Sequence, residues 1–124
     1  MEKVFLSIAA LLGALSIAIG AFAAHGLRHT LDAHALGLIE TATRYQMYHA
    51  LALLGVGILA KIQQPVPWPL TLAGLAFIFG MLGFSGSLYA LSASGPPVLG
   101  LVTPIGGVFL LVGWIALALS ALQN

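Results

Sequence analysis

Ten consecutive residues, Glu40 to His49 (Glu-Thr-Ala-Thr-Arg-Tyr-Gln-Met-Tyr-His), hold the densest set of hydrogen-bonding groups in this chain. At helical spacing Glu40, Arg44 and Tyr48 form one line, and Thr41, Tyr45 and His49 form a parallel one. Glu four residues ahead of Arg is the favourable order for an ion pair. His25, Glu40, Tyr45 and His49 are also residue types that pass protons. His25 and His49, if they met, would be the pair to ligate a haem or a metal ion. The run His25-x-x-x-His29-x-x-Asp32 has helical ligand spacing too, but Gly26 weakens that helix, and Asp32 stands where an N-cap would. Ser85 and Ser87 are the candidate nucleophiles. No Asp or Glu is placed to orient a histidine base beside them, so no hydrolytic triad forms. There are no cysteines, which excludes disulfides, thiolate zinc sites and thiol nucleophiles.

The elements that must position these groups are apolar. Hydrophobic residues make up 60% of the chain and charged residues 6%, against about 25% charged in a soluble domain. Mean hydropathy is +1.09. The net charge of +1 leaves no basic footprint, which argues against a nucleic-acid partner.

Four uncharged or nearly uncharged runs are long enough to cross a bilayer, which takes roughly 20 residues. They fall at about 4–24, 41–61, 68–92 and 99–122 within a single domain, 1–124. The first contains Ala21-Phe22-Ala23, which mimics a signal-peptidase site. Its apolar stretch exceeds the roughly 7–15 residues of a signal core, so it reads as a retained helix. Between the first two spans, Leu27, Leu31, Ala35, Leu38 and Ala42 recur at helical spacing, as in an amphipathic segment lying along the interface. The second helix is expected to start near Ala33, with a kink at Gly37. Pro65 and Pro67 end it, and Ser94-Gly95-Pro96-Pro97 joins the third span to the fourth. The expected fold is all-α: an integral membrane four-helix antiparallel bundle with an interfacial amphipathic segment between spans 1 and 2.

Counting spans brings His25, Glu40, Arg44, Tyr45, Tyr48, His49, Ser85, Ser87, Tyr89 and Thr103 to one half of the bilayer, from all four helices. The other half carries little that is polar. Ion pairs within a membrane usually face the protein interior, so Glu40 and Arg44 are expected inside the bundle. Lys3, Lys61 and the N-terminal amine then outweigh Arg28, placing both termini in the cytoplasm by the positive-inside rule.

Gly20-Ala-Phe-Ala-Ala-His-Gly-Leu27, Glu40 to Leu51, Phe84-Ser-Gly-Ser-Leu-Tyr89 and Thr103-Pro-Ile-Gly-Gly107 together resemble the "domain of unknown function" family numbered 423. These are small four-span membrane proteins, bacterial ones and the transmembrane-protein-256 type of eukaryotes. The family usually has Gly at the position of Ala23, and His29 and His34 fall outside its motifs. The resemblance implies a fold and a location, here the bacterial cytoplasmic (inner) membrane, and no established activity.

The favoured reading is a non-enzymatic binding or accessory subunit that associates with membrane lipid, another membrane protein or itself through the one-sided polar cluster. A small transporter or proton relay is the alternative, weakened because a pathway needs polar lining through the full thickness. A haem or metal protein ligated by His25 and His49 is the second. No cofactor is expected.

Overall fold

The computed structural model describes residues 1–123. Four long helices follow one another: α1 (Glu2–Phe22), α2 (Ala33–Ile62), α3 (Trp68–Ser92) and α4 (Val102–Leu122). Each belongs to a segment long and apolar enough to cross a membrane. Outward-facing side chains such as Leu11, Ile17, Leu82, Leu111 and Ile115 suit acyl chains.

Local chemistry sets the ends. Asp32 caps α2, its Oδ1 accepting from the backbone N–H of Ala35 at 2.8 Å. Pro69 sits in the first turn of α3, where its missing N–H is harmless. At the other end of α3, Gly95 N–H donates to Ala90 O (2.8 Å) and Ser94 N–H to Leu91 O (3.2 Å). This is a Schellman ending, with Ser94 at φ 65° in the left-handed position that glycine usually takes. Pro96 and Pro97 then turn the chain into the short 3-10 segment Pro97–Leu101 that leads to α4.

The first connection is short, and its apolar stripe, Leu27, Leu31, Ala35, Leu38 and Ala42, turns inward as expected. α1 continues as a π-helical turn, Ala23–Leu27, and α2 starts at Ala33, as expected, and runs unbroken through Gly37. Ile39 and Ala42 of its first turns are buried. The Asp32 cap commits the chain to α2 this early, so the amphipathic stretch is the first part of that helix.

Each helix packs on its neighbour in sequence, and among the described residues α1 and α4 share no packed face. α2 and α3 thus form the central pair. Phe5, Leu53, Val56, Leu70 and Phe77 are fully buried between the helices. α3 and α4 approach most closely at Gly106, where an added Cβ would lie 2.2 Å from the backbone nitrogen of Phe84. The Phe5 ring seats on Gly74, where a Cβ would lie 2.3 Å from it, so α1 also touches α3.

Candidate functional site: a polar seam between the helices

A bilayer core offers no water to a buried polar atom, so each must find a partner within the protein. α2 organises those partners. Ser16 Oγ of α1 donates to Thr43 O at 2.7 Å, and Ser85 Oγ of α3 donates to Ala42 O at 2.7 Å. Gln46 bridges three helices: its Nε2 donates to Leu12 O at 2.7 Å, and its Oε1 accepts from the Tyr89 hydroxyl at 2.6 Å. Ser87 and Thr103 join α3 to α4 through their hydroxyls, 2.5 Å apart.

His49 is buried in the same seam, 5% exposed. The indole N–H of Trp114 lies 3.0 Å from its Nε2, and Nδ1 lies 2.7 Å from Tyr45 O. Indole can only donate. Nε2 is therefore the acceptor, and Nδ1 carries the proton that it donates to the carbonyl. This makes His49 a neutral imidazole with both nitrogens engaged. Phe77 completes an aromatic cluster, with ring centroids 5.6 Å from His49 and 5.2 Å from Trp114. Among the described residues, no buried side-chain nitrogen or oxygen lacks a hydrogen-bond partner.

The ten expected residues divide in two. His49, Ser85, Ser87, Tyr89 and Thr103 lie in the seam, His49 midway along α2 and the others toward the end where α3 finishes and α4 begins. His25, Glu40, Arg44, Tyr45 and Tyr48 do not: all five are exposed. The Glu40–Arg44 ion pair forms, with Arg44 NH2 2.5 Å from Glu40 Oε1, but its side chains are 69% and 51% exposed. The expectation of an interior pair is thus overturned. At about 100° per residue Glu40 falls on the side of α2 opposite His49, and the seam occupies the His49 side. Tyr45 rests on Phe84 (4.8 Å) and Tyr48 (5.8 Å), covering the seam from outside.

His25 and His49 are not at one depth. Gly13 of α1 faces Ala50, beside His49, and His25 lies twelve residues farther along, about 18 Å at the helical rise. The antiparallel packing separates them. Among the described residues, no group of three His, Cys, Asp or Glu side chains gathers to hold a metal ion.

Three seam residues escaped sequence reasoning: Ser16, Gln46 and Trp114. Gln46 had a signal. It lies on the inward line of α2 with Ala42 and Leu53. Trp114 stands in the middle of α4, far from the interface where tryptophan is ordinarily expected.

Outside the seam, the end of α1 and the start of α2 enclose a cleft of about 380 Å³, with Arg28 and Glu40 among its lining residues.

Four membrane-crossing helices tied by interhelical hydrogen bonds define a polytopic α-helical membrane protein. Its residues 19–107 match the family described as protein of unknown function (DUF423), and the chain belongs to that family. It is 42% identical to a UPF0382 membrane protein of Haemophilus influenzae over 124 residues, covering 100% of this chain and 98% of the relative. A UPF0382 membrane protein of Staphylococcus saprophyticus is 42% identical over 122 residues, 98% of each chain. The UPF0382 membrane protein YwdK of Bacillus subtilis is 38% identical over 121 residues, again 98% of each. No solved structure matches the chain.

Proposed function

We propose that this protein is a non-enzymatic accessory subunit of the bacterial cytoplasmic membrane, which holds another membrane protein or a second copy of itself against the outer face of α2. One observation carries this reading: the Glu40–Arg44 pair faces out of the bundle while the described buried polar atoms already have partners inside it. His49, Phe77 and Trp114 lie midway along their helices, and their level serves as the bilayer centre. Arg44 is then only about 7–8 Å from that centre along α2, within a hydrocarbon half-thickness of about 15 Å. Ionisable groups turned to acyl chains are costly, and polar groups of a neighbouring helix relieve that cost. Tyr48 and Leu51 on the same exposed face supply apolar contact.

Location and orientation follow the same reasoning. Spanning α-helices suit the cytoplasmic membrane, whereas outer-membrane proteins are closed barrels. Arg44 lies within the bilayer rather than in a loop and is discounted. The N-terminal amine, Lys3 and Lys61 then outnumber Arg28, which puts both termini in the cytoplasm.

Transport has less support. Below Trp114, toward Lys61, the core is mainly Phe5, Leu53, Val56 and Leu70, and Ser120 is the buried polar side chain there among the described residues. A haem or metal site would need His49 to give up its bond to Trp114.

The test is extraction into native-lipid nanodiscs followed by cross-linking from Tyr48. A second chain, identical or different, is expected at that position in the native protein and absent after combined Glu40→Leu and Arg44→Leu. Native extracts containing only lone monomers overturn the reading.

A further inference from the structure

The cleft between the end of α1 and the start of α2 is amphiphilic in a graded way. Its walls are Gly20, Ala23, Leu36 and Ile39, and Arg28 and Glu40 bring opposite charges to it. Arg28 has no ion pair among the described residues. Glu40 Oε1 accepts from Arg44, and Oε2 has no protein partner among the described residues. The volume, about 380 Å³, lies within the roughly 300–1,000 Å³ of small-molecule sites. Glu40 is nine residues from His49, so it sits about 13–14 Å from the bilayer centre, at the headgroup boundary.

Toward the centre, a second furrow of about 260 Å³ continues between the same two helices, with Gly13, Ile17 and Met47 in its lining. Along α2, with the buried Ile39 and Ala50 beside them, the lining positions include Leu36, Glu40, Thr43, Met47, Leu51 and Leu54. Steps of three and four keep them on one face, so the two openings form one line. Charge lies at its outer end and hydrocarbon along the rest.

We infer that this furrow binds a phospholipid whose headgroup carries both a phosphate and a primary ammonium, with an acyl chain lying between α1 and α2. Arg28 donates to the phosphate, and the ammonium donates to Glu40 Oε2. The balance of charge makes the choice. A headgroup with phosphate alone meets the Glu40 carboxylate with nothing to offer it. A trimethylammonium headgroup has the positive charge but no N–H to donate. This goes beyond the association proposed above; the two share Glu40 and Leu51, but a single chain forms the furrow, so lipid binding is read on the monomer.

Native mass spectrometry of the monomer in mild detergent tests it, with equimolar phosphatidylethanolamine, phosphatidylglycerol and phosphatidylcholine of identical acyl chains. One phosphatidylethanolamine adduct is expected, favoured about tenfold over each competitor, the worth of one charge-assisted hydrogen bond. Arg28→Gln should weaken all three by a similar factor. Glu40→Gln should abolish the preference for phosphatidylethanolamine over both competitors while leaving the phosphate contact of Arg28 in place. Both positions are exposed, and unchanged melting of each variant verifies the fold. Equal binding of the three lipids, a preference for phosphatidylglycerol, or a pattern that neither variant alters overturns the assignment. Failure of self-association would leave this result untouched.

Discussion

Trp114 of α4 and His49 of α2 meet through a single N–H···N hydrogen bond of 3.0 Å at the centre of the molecule. It ties together two helices that are not neighbours in sequence. Replacing one partner strands the other in a site without water. In a membrane such bonds contribute about 0.6 kcal/mol on average and about 1.7 kcal/mol at most, since the unfolded chain also finds partners. A Trp114→Phe, His49→Leu double-mutant cycle, read by unfolding in detergent, is expected to give a coupling energy in that range. A coupling near zero would mean that the contact is steric only.

Gln46 is expected to matter more than Tyr89. Gln46→Leu removes two interhelical bonds, to Leu12 and to Tyr89, whereas Tyr89→Phe removes one. With about 0.6 kcal/mol per bond, the first should cost about twice the second. Equal losses would show that the bond to the α1 carbonyl contributes nothing.

Gly106 and Gly86 should respond in opposite ways to alanine. At Gly106 the new methyl meets the backbone of Phe84 and Gly83, which cannot rotate aside. Overpacking of this kind costs about 1–3 kcal/mol, sometimes more. At Gly86 nothing lies within 4 Å, and alanine there should be neutral or slightly stabilising. Thermal melting of the two variants in one detergent makes the comparison.

Asp32→Ala should loosen the first turn of α2 without disturbing the bundle. The lost cap to Ala35 is worth about 1 kcal/mol. Amide exchange should quicken at Ala33–Leu36 and stay unchanged around His49. Uniform quickening would point to global destabilisation instead.

Sequence reasoning worked where one physical requirement acts alone. Hydropathy and length found all four helices. The side chain of Asp32 marked the start of α2, and span counting brought Ser87 to Thr103 and Tyr89 to the polar part of α2. It failed where a face had to be chosen. α2 carries apolar residues all round, Leu53 inward and Leu51 outward, so nothing in its pattern says whether Glu40 and Arg44 or Gln46 and His49 point to the core. That choice was made by what α1 and α3 present: the carbonyl of Leu12, the hydroxyl of Tyr89 and the ring of Phe77. Trp114 was hidden for the same reason, because its partner lies 65 positions away.

Among the described residues the first and last helices share no packed face, which bears on how the molecule comes into being. Each new segment leans on the one made just before it, so assembly can keep pace with synthesis, span by span. The His49–Trp114 bond is the exception, completed only when the last segment arrives, whereas contacts between near neighbours in sequence form fastest.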